Sequence, residues 1–146
     1  MPARIDPYEA SKDALTAMLQ LQTRVNKTEL EPLLIELVKI RASQINRCAY
    51  CLEMHTRETR AQGETEARIY LLHAWRESSL YSERERAALA WTESLTNLAQ
   101  TGVPDADYDI AHGVFSDQEL VELTMAIVAI NAWNRLGVAF RRDHAI

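Results

Sequence analysis

The sequence predicts an all-α protein that folds as one compact domain over residues 1–146, a bundle of about six to eight helices. Apolar residues recur at helical spacing along almost the whole chain, and signals for strands are weak. Only four glycines and four prolines interrupt this pattern. A chain of 146 residues buries roughly 68% of its unfolded surface, so the fold needs no disulfide framework.

Apolar periodicity predicts four helices in the first half of the chain. They cover residues 8–25, 30–45, 47–62 and 65–77. Asn46 is expected to cap the third helix and Gly63 to end it. This third helix matters most, because it carries both cysteines of the protein.

Four further helical segments are predicted in the second half, after breaks that include Gly102. They cover residues 83–98, 105–114, 119–133 and 135–142. Two serine–glutamate pairs have the spacing of a capping box and predict helix starts: Ser82 with Glu85, and Ser116 with Glu119. Residues 120–132 are apolar around most of the helix circumference, which favours burial in an oligomer core.

The chain also contains a weak internal helix-pair repeat. Glu-Leu followed by Ile-Asn occurs at residues 36–37 and 45–46, and again at 122–123 and 130–131. Either one helix-pair motif is used twice, with cysteines in the first copy alone, or two amphipathic helices resemble each other by chance.

Composition argues against several classes of partner. The net charge is −5 and no long basic run occurs, so neither nucleic acid nor an anionic membrane is expected as the main partner. The longest apolar stretch, residues 123–132, is shorter than the roughly 20 residues of a membrane span. The acidic first residues do not resemble a secretory signal, and a cytoplasmic location is expected.

The strongest candidates for chemistry are the cysteines of Cys48-Ala49-Tyr50-Cys51 and the following His55. On a helix, Cys51 lies about 60° and His55 about 20° around the axis from Cys48, so the three share a face. Thiols three residues apart can form a disulfide, and the dipole of a helix start favours the thiolate, especially at Cys48. An imidazole can transfer the proton that thiol chemistry moves.

Glu36 is the fourth candidate residue. It stands twelve residues before Cys48, too far round to share its face on one straight helix. A break near Asn46 would fold the second helix against the third and bring the carboxylate over the thiols. Burial there would raise the pKa of Glu36 and suit it to proton transfer at neutral pH.

Three interpretations of the cysteine pair compete. The cysteines are two small buried residues, or zinc ligands together with His55, or a redox pair. A structural zinc site needs a fourth ligand, and no second cysteine pair or paired histidine follows at the required spacing. Redox catalysis is preferred, with neither metal nor cofactor expected.

The stretch from Glu36 to His55 resembles the alkylhydroperoxidase D-like (AhpD-like) branch of the carboxymuconolactone decarboxylase superfamily. The resemblance rests on the spacing of glutamate, two cysteines and histidine, and on a similar later segment, residues 82–91. It extends over residues 15–142. It implies an all-helical AhpD-like fold and a homo-oligomer, commonly a trimer or hexamer.

The resemblance also implies a peroxidase cycle with an antioxidant role. One thiolate attacks a hydroperoxide and becomes a sulfenic acid, and the other thiol condenses with it to a disulfide. A dithiol partner, in the best-known branch a lipoyl-bearing protein, reduces the disulfide. By resemblance Cys51 attacks, Cys48 resolves, and Glu36 and His55 relay protons. The helix dipole favours Cys48 instead, so the attacking thiol stays open.

One departure from the family concerns Tyr50, since the best-known branch has a histidine before the second cysteine. Tyr50 is a candidate pocket residue, and the missing imidazole bears on the efficiency of turnover. Two alternative functions remain. One is a decarboxylase-like enzyme that uses Glu36 and His55, and the other is a non-catalytic oligomeric protein that binds metal or responds to redox state.

Overall fold

The computed structural model describes residues 1–144, and every regular element in that range is helical, which confirms the predicted all-α class. A 3-10 helix, Leu72–Ala74, follows the fifth α-helix. The α-helices are α1 (Pro7–Ala10), α2 (Lys12–Val25), α3 (Pro32–Ile45), α4 (Ala49–Ala61), α5 (Glu66–Tyr70), α6 (Glu83–Thr96), α7 (Leu98–Thr101), α8 (Asp105–His112) and α9 (Asp117–Phe140).

Helix α3 is the centre of the bundle and packs against α4, α6 and α9. It is buried on two faces, and each face belongs to a separate apolar cluster. One face joins α6 and α9 through Leu34, Val38 and Leu123. The other joins α6 and the 3-10 helix through Leu37 and Ile40. Burial on both faces fixes the direction in which α3 leads into the cysteine segment.

Two predicted helices are interrupted in the structure. The helix expected over residues 8–25 is divided at Ser11, whose extended backbone (φ −150°, ψ 79°) separates α1 from α2. The helix expected over residues 65–77 ends at Tyr70 and continues as the 3-10 helix and turns. The Arg86 side chain donates to the carbonyls of Trp75, Arg76 and Ser78, so these carbonyls need no helical partner.

Helix α9 shows the opposite difference, because it continues without a break through the predicted boundary at residue 134. Both predicted capping boxes are present, at Ser82 for α6 and at Ser116 for α9. The second copy of the internal repeat therefore lies on one uninterrupted helix, whereas the first copy spans the pair α3 and α4. The repeat is not a helix pair in its second copy.

Helix α9 is long and apolar enough, by length and composition, to cross a membrane. The core helix of a globular protein meets the same criteria. Leu123, Ile127 and Ile130 of α9 are buried against the rest of the bundle. The length of α9 exceeds the sequence-based expectation because Asn134 fits into the helix, where its side chain bonds to α3.

Candidate active site

A sharp turn of three residues separates α3 from α4. Asn46 ends α3 in right-handed helical conformation, Arg47 adopts a left-handed backbone (φ 55°), and Cys48 is extended. Cys48 is the N-cap of α4, and its sulfur accepts a hydrogen bond from the Cys51 backbone N–H at 3.4 Å. The prediction that Asn46 caps this helix is wrong, because the Asn46 side chain bonds to α9 instead of to the start of α4.

The Asn46 side chain is part of a polar network between α3 and α9. Its amide nitrogen donates to the Oδ1 atoms of Asn131 and Asn134, each at 2.9 Å. The amide of Asn134 donates in turn to the hydroxyl of Ser43 at 2.9 Å. Ser43 and Asn134 are buried, and such groups are costly to leave without partners. The network therefore holds the turn before Cys48 against α9.

Cys48 and Cys51 are joined by a disulfide, with their Cα atoms 5.3 Å apart. The exposed fractions are 1% for Cys48 and 2% for Cys51. Helix α9 backs this pair through Gly137, where a β-carbon would lie 2.9 Å from the Cys48 sulfur and 3.6 Å from the Cys51 sulfur. A side chain at position 137 would collide with the first sulfur, so the absence of one permits the close approach.

His55 and Glu36 meet across the interface between α4 and α3. The Nδ1 atom of His55 lies 3.2 Å from Oε2 of Glu36, and both residues are buried. Lys39, one turn further along α3, donates to the other oxygen of Glu36 at 2.7 Å. Because an ionised carboxylate can only accept hydrogen bonds, Nδ1 of His55 carries a hydrogen and donates a hydrogen bond to Glu36. In the neutral imidazole, the other ring nitrogen, Nε2, is then the acceptor.

The pKa of Glu36 differs from the sequence-based expectation. Burial raises that pKa, as expected, but hydrogen bonds from His55 and Lys39, together with the positive charge of Lys39, outweigh burial. The pKa of Glu36 therefore lies below its ordinary value, and the predicted rise is wrong. Glu36 is ionised at neutral pH. By accepting a hydrogen bond from His55, the carboxylate orients the imidazole.

A cavity of about 320 Å³ opens beside the disulfide. Cys51 and His55 both line it, whereas Cys48 does not. Its walls are mainly apolar side chains from α2, α4 and α9: Leu15, Leu19, Met54, Ala126, Ile130, Trp133 and Leu136. Tyr50, the candidate pocket residue, also lines it. A cavity of this size lies at the lower end of the range for small-molecule sites.

The structure brings together the four residues selected from the sequence in two contacts: the Cys48–Cys51 bond and the His55–Glu36 hydrogen bond. Sequence reasoning missed Lys39 and Gly137. Lys39 follows Glu36 by three residues, which places both on one helix face and was a usable signal. An isolated glycine inside an apolar helix was the signal for Gly137.

Three residues could offer ligand atoms to a cation, namely Glu36, His55 and Glu58, whose candidate atoms lie within 4.8 Å of one another. Glu58 approaches Nδ1 of His55 to 3.8 Å from a largely exposed position. Lys39 already neutralises one oxygen of Glu36. This set differs from the cysteine-based zinc site considered from the sequence, since both cysteines are bonded to each other.

Residues 10–94 match the profile of the Carboxymuconolactone decarboxylase family. The chain is also 38% identical over 139 residues to the uncharacterized protein YdfG of Bacillus subtilis (strain 168), with 95% of each chain covered. The match to the family profile spans more than half of the chain and includes every candidate site residue on α3 and α4.

Solved structures share the fold. A protein of unknown function from Agrobacterium tumefaciens, provisionally assigned as antioxidant defence protein AhpD, has a TM-score of 0.96 at 44% identity, over 99% of each chain. An uncharacterized peroxidase-related protein from Silicibacter sp. TM1040 has a TM-score of 0.80 at 22% identity, over 93% of this chain and 72% of that chain. At this lower identity the likeness shows the fold alone.

The contact at Gly137 predicts that Gly137→Ala destabilises the oxidised protein by about 1–3 kcal/mol, because the new methyl group overpacks against the Cys48 sulfur. Alanine normally stabilises a helix interior relative to glycine. Denaturant unfolding of the oxidised protein measures the effect. The matched control is Ala139→Gly on the exposed side of α9, which should cost up to about 1 kcal/mol. An unchanged or higher stability of Gly137→Ala would contradict the close contact.

The Glu36–Lys39 contact predicts a change in the pH dependence of stability. The low pKa of Glu36 stabilises the folded state above the unfolded pKa, and this contribution is lost as the pH falls through the folded pKa. In Lys39→Met, burial acts without the ammonium, so the pKa of Glu36 rises and stability is lost at a higher pH. Free energies of unfolding between neutral and acidic pH measure the shift.

The control for this measurement is Lys27→Met, which removes the same charge from an exposed position without an ion pair to the described residues. Its profile of stability against pH should keep the wild-type shape. If Lys39→Met and Lys27→Met give the same profile, Lys39 does not set the ionisation of Glu36.

Proposed function

Because the chain belongs to the carboxymuconolactone decarboxylase family, we propose that it is a thiol-dependent peroxidase that reduces hydroperoxides through a Cys48–Cys51 disulfide. One observation carries the proposal: Cys51 of the disulfide and His55, a residue type that can move a thiol proton, line the same cavity. The AhpD assignment of the Agrobacterium relative, at 44% identity, supports an antioxidant role.

The proposed cycle starts from two thiols. The Cys51 thiolate attacks the distal oxygen of a hydroperoxide, the O–O bond breaks, and protonation of the leaving oxygen releases an alcohol. The sulfenic acid on Cys51 condenses with the Cys48 thiol to form the disulfide and water. A dithiol then reduces the disulfide and is itself oxidised to a disulfide. The described structure corresponds to the oxidised stage of this cycle.

Access favours Cys51 as the attacking residue. Cys51 lines the cavity and Cys48 does not, so a hydroperoxide in the cavity reaches the Cys51 sulfur first. The start of α4 still favours the thiolate form of Cys48, because the backbone N–H of Cys51 donates to the Cys48 sulfur. The same contact stabilises Cys48 as a thiolate leaving group when the disulfide is reduced.

Glu36 and His55 act as the proton relay in this proposal. Glu36 accepts from Nδ1 of His55 and holds the ring so that Nε2 can take the thiol proton and return it to the leaving oxygen. The hydrogen bond from His55, together with the charge and hydrogen bond of Lys39, keeps Glu36 ionised, so that Glu36 does not donate a proton to the ring. Tyr50, beside Cys51 in the chain, forms part of the wall of the cavity that the hydroperoxide enters.

We propose the reductant and the location from the chemistry of this cycle. The disulfide is almost fully buried, so the reductant must reach it through the cavity, which suits a slender dithiol such as a lipoyl group on a carrier protein. Continuous reduction requires a reducing compartment, and the cytoplasm meets this requirement.

The cycle predicts different defects for the two cysteine variants, measured as peroxide consumption with dihydrolipoamide as reductant. Cys51→Ser should abolish turnover, because the attacking sulfur is missing. Cys48→Ser cannot form the protein disulfide, so hydroperoxide added in the absence of dithiol should leave a sulfenic acid on Cys51 that mass spectrometry detects. His55→Gln should slow the attack by about 100-fold or more, the usual contribution of a general base.

Titration of free thiols before and after one equivalent of hydroperoxide is the accompanying control. Loss of both thiols without metal agrees with the proposal. Activity of Cys51→Ser equal to that of the wild type excludes the disulfide cycle. Retention of a decarboxylase activity by Cys48→Ser/Cys51→Ser would favour the acid–base enzyme that uses Glu36 and His55. Stoichiometric zinc that blocks both thiols would favour a metal-binding protein.

We further propose that the protein is a homo-oligomer. Helix α9 exposes an apolar stripe of Val121, Met125 and Val128, spaced so that all three share one face. The opposite side of α9 is buried in the bundle, so the stripe lies on the outer surface of the chain. A second copy would remove these side chains from water, and the family resemblance favours three or six copies.

The oligomer proposal predicts that Val128→Glu dissociates the assembly, because a charge would be buried in an apolar interface. Sedimentation velocity measures the mass of the wild type and the variant. Val138→Glu is the matched control, since Val138 is exposed on α9 but lies on a different face from the stripe. A wild type that sediments as one chain would contradict the proposal.

A further inference from the structure

The mouth of the cavity carries a cation that the proposed cycle does not use. Arg142 lines the cavity immediately after the end of α9, and its backbone N–H donates to the carbonyl of Gly137. Its guanidinium carbon lies 4.1 Å from the ring centre of Tyr50 and 5.3 Å from that of Tyr8. The ion pairs among residues 1–144 do not include Arg142. Aromatic contacts hold a guanidinium in place without occupying its N–H edge.

The aromatic side chains around Arg142 are themselves held in position. The backbone N–H of Arg4 donates to the carbonyl of Phe140, and the Arg4 guanidinium donates to that of Ala139. These bonds fasten the segment that precedes α1 to the end of α9, and α1 carries Tyr8 to the cavity. Tyr50 comes from the start of α4, next to Cys51. Arg142 is therefore pre-oriented at the opening, which lowers the cost of binding an anion.

Charges elsewhere around the cavity favour an anion with one charge. The Lys39 ammonium is compensated by Glu36 at 2.7 Å, and Glu58 adds a negative charge near His55. Of the lysine and arginine side chains that line the cavity, Arg142 is then the one without a carboxylate partner among residues 1–144. One guanidinium matches a carboxylate, whereas a phosphate monoester would bring a second charge that Glu58 repels. The apolar walls between the mouth and Cys51 suit a hydrocarbon body.

We propose that Arg142 binds the carboxylate of an amphiphilic organic hydroperoxide whose apolar part fills the cavity beside Cys51. This inference rests on the proposed peroxidase function, because it names the class of substrate. Arg142 acts as a specificity residue: it holds the far end of the substrate and takes no part in breaking the O–O bond. A neutral hydroperoxide of the same shape binds more weakly, because it lacks this contact.

The first experiment measures binding without turnover. The probes are 4-isopropylbenzoate and 4-isopropylbenzyl alcohol, which share a shape and differ in charge. Isothermal titration of the oxidised protein should show the carboxylate binding about tenfold more tightly, as one charge-assisted contact at a partly solvated site allows. Arg142→Gln should remove this preference, and Arg141→Gln, which changes the neighbouring residue outside the cavity, should retain it. Arg142→Lys should keep part of it.

The second experiment compares kcat/KM for cumene hydroperoxide and its para-carboxylate derivative. The ratio should favour the carboxylate in the wild type and in Arg141→Gln, through KM, and should approach one in Arg142→Gln. Equal binding of acid and alcohol by the wild type, or a preference intact in Arg142→Gln, overturns the role of Arg142. Consumption of both hydroperoxides without preference supports the peroxidase function and rejects the role of Arg142 in substrate selection. A binding preference without any peroxide consumption supports the anion site and rejects the peroxidase.

Discussion

The left-handed turn at Arg47 is the constraint on which the candidate site depends. Without this turn α3 would continue, and Cys48 would stay on the same helix as Glu36, on a different face. A non-glycine residue in this conformation costs about 1–2 kcal/mol. The two hydrogen bonds from the Asn46 amide to α9 offset that cost, at about 0.5–1.5 kcal/mol each. The turn makes Cys48 the cap of α4 and folds α4 back along α3, so that His55 meets Glu36.

Helix α9 supplies most of what surrounds the disulfide. Asn134 locks the turn, Gly137 allows the backbone to approach both sulfurs, and Ile130 forms part of the cavity wall. Arg142 lies two residues beyond the end of the helix, after the left-handed cap at Arg141, and stands at the opening. Ile130, Asn134 and Gly137 lie within about two turns of one uninterrupted helix, so the relative placement of the backing and the wall is rigid. A break at residue 134 would uncouple the sulfur contact from the polar network.

The electrostatic arrangement separates two tasks. Deep in the site, the positive charge of Lys39 and the hydrogen bond from His55 keep Glu36 ionised despite burial, so the carboxylate orients the imidazole. At the surface, the guanidinium of Arg142 is held by aromatic rings and leaves its N–H groups for a ligand. In the proposed peroxidase, the inner group of charges moves the proton and the outer charge selects the substrate. Both tasks meet at Cys51, which lines the cavity between them.

The sequence by itself determined the helical class, both capping boxes and the spacing that selected Glu36, Cys48, Cys51 and His55. These features depend on periodicity and on residues a few positions apart, which a linear chain displays directly. The tertiary structure alone decided the cap at Cys48, the continuity of α9, the low pKa of Glu36 and the positions of Gly137 and Arg142. Each of these depends on a partner that is distant in the chain or on the balance between burial and a nearby charge. Such energies exist only after helices pack, because packing sets which groups lose water and which partners replace it.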